Sequence, residues 1–155
     1  MMDIDRTLIA RLIPHQGAML LLDRVATWDE TIIVALSASH HSPDNPLRSN
    51  GRLRAVHLCE YGAQAAALHG GLVARAAGTV AEPGYLVSLR EVALLRDYID
   101  DLHGELQIRA ELLLNEKLTC SSSSTRPRVG SSTGNGSARY FRDSSNSEST
   151  IFTFS

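Results

Sequence analysis

Gly51 to Gly78, GRLRAVHLCEYGAQAAALHGGLVARAAG, is the stretch on which the fold turns. Read as one long helix it is apolar on nearly every face, and between Arg54 and Arg75 the one formally charged side chain is Glu60. A helix without a polar face must be surrounded by protein or by lipid. Its Ala, Gly, Cys and His content is too weakly hydrophobic for a membrane span, which leaves a central helix covered by other elements, with Asn50 as its N-cap. A carboxylate in such a helix is costly unless it is paired, hydrogen-bonded or held neutral. Glu60 is therefore the first candidate for a chemical role.

The flanking sequence supplies the cover. Ile4, Leu8, Ile9 and Leu12 recur at helical spacing before Pro14, predicting a short amphipathic helix over Asp3 to Ile13 that the proline helps to stop. Pro14-His15-Gln16-Gly17 has turn chemistry and leads into Met19 to Val25, an apolar run of strand length. Asp29-Glu30 marks a turn, after which Ile32, Val34, Leu36 and Ala38 share one side of a second strand. His40 to Asn50, with two prolines and several turn formers, reads as the loop that delivers the chain to the helix. Beyond it, Tyr85 to Leu95 reads as a strand. Gly104 to Leu112 alternates most cleanly, with Leu106, Ile108, Ala110 and Leu112 on one face.

At 155 residues the chain is of single-domain size. A net charge of -2 with scattered basic residues gives no footprint for nucleic acid. The N-terminal residues lack the uninterrupted apolar core of a signal peptide, and no membrane-spanning stretch follows. Two cysteines, Cys59 and Cys120, do not make a disulfide framework, and a cytoplasmic location suits the composition. The character changes past Glu116: twelve of the thirty-nine residues from Lys117 to Ser155 are Ser, against five in the 116 before them. A domain over 1–116 followed by a Ser-rich tail over 117–155 is the direct reading, because such a stretch buries too little apolar surface to order itself. Within it, only Ala138 to Phe141 and Thr150 to Phe154 carry strand-like sequence, and the alternative to a tail is that Tyr140-Phe141 and Ile151 to Phe154 are the final strands of the sheet, separated by long loops. A shift of reading frame near Glu116 would leave the same abrupt loss of alternation.

The order of rim helix, two strands, long apolar helix and further strands fits an α+β fold in which an antiparallel sheet wraps one helix. Two motifs make the pattern specific. Ile13-Pro14-His15 through Leu20-Leu21-Leu22-Asp23-Arg24-Val25 resembles the opening motif of the hot-dog-fold 3-hydroxyacyl-[acyl carrier protein] dehydratases. Asn45-Pro46-Leu47-Arg48, Gly51-Arg52-Leu53 and Glu60-Tyr61-Gly62-Ala63-Gln64 resemble the central helix of that superfamily, and the branch most similar is the dehydratase of aryl polyene pigment synthesis. The resemblance covers roughly residues 5 to 116.

It implies dehydration of a 3-hydroxyacyl thioester carried on the phosphopantetheine of an acyl carrier protein, with no cofactor or metal of the enzyme's own. It also implies a homodimer, or a heterodimer with another hot-dog subunit. The reaction needs an acid/base group and donors for a developing enolate oxygen. The resemblance puts Glu60 in the first role and Gly51, Arg52 and Leu53, at the start of the helix, beside the thioester. Gln64, one turn on, is within reach of a hydrogen bond to Glu60.

The superfamily's loop histidine stands fourteen residues before the carboxylate, and here that position is Pro46. His15, His57 and the His40-His41 pair are the substitutes, and His15 is preferred because a turn can present its ring to a site that a helix lines. His57 and His69 also read as packed helix residues. His40, His41 and Asp44 lack a second ligand pair for a metal. Cys59 lies about 200° around the helix from His57, a poor arrangement for a shared ligand. Arg52 and Arg54, in the first turn of the expected helix, oppose its dipole unless they meet an anion such as an acidic carrier. The rival functions are an acyl thioesterase, since fold does not fix chemistry, and a catalytically silent subunit that partners an active dehydratase.

Overall fold

In the computed structural model of the chain, residues 4–81, 89–113, 117–124 and 149–154 are described. Helix α1 spans Arg6–Leu12, shorter than its apolar periodicity, because Asp5 is its N-cap, accepting from the Leu8 amide, and Ile13 is already extended before Pro14. Helix α2 spans Leu58–Ala76, led in by a 3-10 turn over Ala55–His57. Six strands are seen among the described residues: β1 Arg24–Trp28, β2 Ile32–Ser37, β3 Leu89–Ala93, β4 Leu106–Leu113, β5 Lys117–Ser124 and β6 Ser149–Phe154. They form one antiparallel sheet in the order β1-β2-β4-β5-β6-β3, and α2 packs across β2, β4 and β5.

The core lies between that sheet and α2. Tyr61 and Leu68 of the helix are fully buried with Ile33 of β2, Leu106 and Ile108 of β4, Ile9 of α1, and Leu21, Leu22, Leu53 and Ile99 of the connecting segments. The helix is not covered all round. Ala67 and Gly70 remain exposed, and because both are small they leave little apolar surface in water.

Four expectations change. The run Met19 to Val25 is a strand only from Arg24. Gly17–Met19 forms a 3-10 turn, and Leu20, Leu21 and Leu22 are buried in an irregular segment whose polar backbone groups are satisfied by side chains. On β2 the buried face is Ile33, Ala35 and Ser37, opposite the side bearing Ile32, Val34 and Leu36. Ser37 is tolerated inside because its hydroxyl donates to the Leu21 carbonyl at 2.5 Å. The long helix begins at Leu58, not near Gly51. Asn50 and Gly51 both hold positive φ (52° and 74°) in a turn, so Asn50 caps nothing, and the residue before α2 is His57 without a side-chain cap.

The Ser-rich sequence also does not stop the sheet at residue 116. Lys117–Ser124 pairs with β4 residue for residue from Leu113↔Lys117 to Leu106↔Ser124, and β6 follows on its other side, from Leu118↔Phe154 to Ser123↔Ser149. The strand-like residues Ala138 to Phe141, and the first part of the strand read from Tyr85, lie outside the described residues.

Candidate active site

Glu60 sits in the first turn of α2, and two donors meet it. His15 Nε2 lies 3.1 Å from Glu60 Oε1, and Gln64 Nε2 donates to the same oxygen at 3.0 Å. Among the described residues no hydrogen bond reaches Oε2. The side chains of His15 and Glu60 are 28% and 32% exposed, so a small reactant can reach the pair from solvent. His15 and Glu60 come from segments forty-five residues apart, and Gln64 accounts for their meeting. Its Nε2 also donates to the Met19 carbonyl at 2.7 Å, and its Oε1 accepts the Leu21 amide at 2.9 Å. One buried amide therefore holds the Met19–Leu21 backbone against the helix and presents the His15 turn to Glu60.

The imidazole orientation follows from its partner. Nε2 faces Glu60 Oε1, the side from which a ring N–H donates to a carboxylate, while Nδ1 is buried without a partner. Gln16 secures the start of the same turn by donating from Nε2 to the Ala10 carbonyl of α1 at 2.8 Å. Beside Glu60, Tyr61 is fully buried, with its hydroxyl 2.7 Å from the Ser39 hydroxyl and accepting from Asn45 Nδ2 at 3.1 Å. Burial pushes the Tyr61 phenol above its ordinary range despite these two contacts. The sequence reading assigned no part to Tyr61, Ser39 or Asn45. Only a buried network, which periodicity does not report, could have revealed them.

The other histidines are engaged elsewhere. His40 is fully buried with Nε2 3.3 Å from the Leu102 carbonyl, and His41 Nε2 lies 3.0 Å from the Gly104 carbonyl. Their rings stand 3.8 Å apart at 41°. Desolvation, with the neighbouring His41 adding to it, lowers the His40 pKa to about 4, so His40 is neutral at pH 7. His69, nearly buried, ties α2 to the β1–β2 turn through the Asp29 carbonyl at 2.7 Å. His57 is half-buried, with no hydrogen bond or ion pair to Glu60. Asp44 instead lines a cavity of about 330 Å³ with Arg6, Asp23, Ser39, Ser42 and Asn45. Among the described residues no cluster of three or more His, Cys, Asp or Glu side chains could hold a metal ion. Cys59 is buried and free, and desolvation raises its thiol pKa, which suits packing rather than nucleophilic chemistry.

Gly51, Arg52 and Leu53 are not a helix N-terminus. Leu53 donates its amide to Asp100 Oδ1 at 2.9 Å, and Ala55 donates to the Asp97 carbonyl at 2.8 Å, so neither amide is open to a thioester oxygen. Arg52 is paired through Nε with Asp100 Oδ2 at 2.7 Å and lies 4.1 Å over the Tyr98 ring. Burial acts to raise the Asp100 carboxyl, but the Leu53 amide and the Arg52 guanidinium outweigh it and hold the group below its ordinary range. Arg54 is exposed too, 5.7 Å from the Tyr98 ring centre, and differs from Arg52 in having no carboxylate partner among the described residues. Because both precede the helix, the dipole penalty expected for them does not arise.

Among curated protein sequences none matches this chain. Among solved structures, one chain of "The Dehydratase Heterocomplex ApeI:P from Xenorhabdus doucetiae" superposes with a TM-score of 0.66 at 18% sequence identity, covering 94% of this chain and 89% of that one. That similarity shows the shared fold, an antiparallel sheet around one long helix. No helix among the described residues is long and apolar enough to cross a membrane. A family model described as ApeP-like, ApeP dehydratase, matches residues 7–127, a span that contains His15, Glu60, Gln64 and the Ser-rich strand β5. The chain belongs to the ApeP-like dehydratase family.

Proposed function

We propose that this chain removes water from 3-hydroxyacyl thioesters through the Glu60–His15 pair, giving 2-enoyl thioesters for polyene-type chain synthesis. The observation that supports this most is the crowding of both donors onto one oxygen of Glu60: His15 and Gln64 engage Oε1, and Oε2 is left for the substrate. In this reading Oε2 takes the proton from C2, and the electron pair moves toward the thioester carbonyl. The same oxygen returns the proton to the C3 hydroxyl as the C3–O bond breaks, the C2=C3 double bond forms and water leaves. The carboxylate ends as it began, with His15 Nε2, 3.1 Å from Oε1, steadying its charge. The substrate rides on the phosphopantetheine of an acyl carrier protein, and the exposed Arg54 gives an acidic carrier one cation to meet. Its place of action is the cytoplasm.

Turnover of a 3-hydroxyacyl carrier protein thioester, followed by separation of the products, tests this. Glu60→Gln removes the proton acceptor and is expected to abolish enoyl formation, whereas His15→Gln, which still donates to Oε1, is expected to lower kcat by about 10- to 100-fold. Release of free acid instead of enoyl product would assign thioesterase activity. A second reading is a silent subunit supporting an active dehydratase. It is favoured by Pro46 standing where the superfamily keeps its histidine and by the structural neighbour being a heterocomplex. A well-folded chain that turns over only with a second hot-dog subunit, and equally well as Glu60→Gln, would establish that reading.

A further inference from the structure

We infer that Arg6, at the first position of α1, is a positioning residue for the Glu60–His15 pair, an inference that rests on the dehydratase reading above. Its guanidinium reaches both ends of the segment that carries the site. Nη2 donates to the Gly17 carbonyl at 3.0 Å, and Nη1 to the Leu22 carbonyl at 3.3 Å and to Asp23 Oδ1 at 3.2 Å. Between those two carbonyls lie the Met19 carbonyl and Leu21 amide that Gln64 grips from the helix side. His15 precedes the clamped Gly17 by two residues. Asp23 extends the clamp into the sheet, since its Oδ2 accepts the Ala38 amide at 2.7 Å and its own amide donates to the Leu36 carbonyl.

Arg6 is poorly placed for any simpler purpose. A cation in the first turn of a helix opposes the helix dipole. Its pairing with Asp23 is also largely solvated, with side chains 44% and 36% exposed, so as a salt bridge it contributes little. What it supplies is geometry. A planar fork with several fixed N–H directions can span two carbonyls five residues apart, which the single point charge of a lysine cannot do. Held at both ends by Arg6 and in the middle by Gln64, the segment has one conformation, and in it His15 Nε2 meets Glu60.

Arg6→Lys and Arg6→Ala, compared with wild type and Glu60→Gln, test this by two readouts. The first is kcat and KM on the carrier-bound hydroxyacyl substrate. The second is the nitrogen and proton resonances of the His15 ring, which report the Nε2–H tautomer and its contact with Glu60 independently of activity. Both Arg6 variants are expected to keep KM within about twofold while kcat falls at least about tenfold, as for a misplaced rather than a missing group. Their His15 resonances are expected to move toward those of Glu60→Gln, with part of the kcat of Arg6→Ala returning in millimolar guanidinium. Folded variants with wild-type kcat and an unmoved His15 ring would overturn the inference. So would an Arg6→Lys chain that fails to fold, since Arg6 would then be a determinant of the fold. Should Glu60→Gln retain full turnover, the assignment of the chemistry to the Glu60–His15 pair falls, and the His15 resonances still decide whether Arg6 sets the contact.

Discussion

Gln64 shows how much of this site one side chain carries. It is fully buried, its two N–H groups go to the Met19 carbonyl and Glu60, and its oxygen takes the Leu21 amide, so its amide cannot be turned over without breaking three hydrogen bonds. Gln64→Leu keeps the volume and strands the half-buried Met19 carbonyl and the buried Leu21 amide. A loss of roughly 2 kcal/mol in unfolding free energy is expected, with a kcat reduced more than about tenfold because the His15 turn is released. Denaturant melts and single-turnover kinetics check the two effects separately, and a destabilised chain of unchanged kcat would confine Gln64 to the fold. At this scale the sequence was most legible where chemistry forces spacing. Glu60 and Gln64 are one helical turn apart, and their contact follows from that interval. His15 required the resemblance, since nothing in a Pro-His turn says which helix it will face. Gly51 to Leu53 were misplaced because the turn chemistry of His40 to Asn50 runs on through Gly51. The true start of α2 carries no capping side chain to mark it.

The elements meet where glycine allows it. A Cβ added at Gly71 would stand 3.3 Å from the Leu12 carbonyl oxygen and 3.4 Å from the Leu12 Cβ, so α1 lies directly on α2 there, whereas nothing lies within 4 Å of one at Gly70. Gly71→Ala must push the backbone of α1, the helix that carries both Arg6 and the Gln16 anchor, and is expected to cost about 1 kcal/mol or more. Gly70→Ala, exposed in mid-helix, gains helix propensity of about 1 kcal/mol and should raise the melting temperature. Opposite shifts of the two variants in thermal unfolding are the signature of this packing; shifts of the same sign would refute it. Element assignment from sequence succeeded for β4, whose inward Leu106, Ile108 and Ala110 alternate as expected, although Leu112, read on the same face, is exposed near the strand's end. On β2 both faces are apolar, so alternation could not say which side faces inward, and the answer was Ser37 with its partner Leu21. The Ser-rich β5 was illegible for a different reason. Its place in the sheet comes from backbone pairing with β4 along its whole length, and composition does not record backbone hydrogen bonds.

For the whole molecule, the buried histidine outside the site governs the response to acid. His40 is desolvated, with His41 and Arg48 as unfavourable neighbours and Asp100 as the opposing one, and its pKa falls from 6.5 to about 4. Protonation therefore favours the unfolded chain, where the ring is free. In the interval between about 4 and 6.5 the unfolded state binds more protons, so stability rises with pH. The contribution is complete above the unfolded value and is lost as the pH falls toward the folded one, at a slope of at most about 1.4 kcal/mol per pH unit. The lowered carboxyls act in a later window. Asp29, held down chiefly by the Thr31 amide and hydroxyl, and Asp100 surrender their share only as the pH drops below 3.8. Unfolding free energy measured as the pH falls from 7 should thus begin to decline before Asp29 or Asp100 gives up its share. In His40→Gln, whose amide can still donate toward the Leu102 carbonyl, the same decline should flatten even if the variant is less stable throughout. An unchanged slope in that variant would move the acid sensitivity to another group. A flattened one would show that the loops spanning His40 to Asn50 and Leu102 to Gly104, joined through a ring that must stay neutral, hold only while it does.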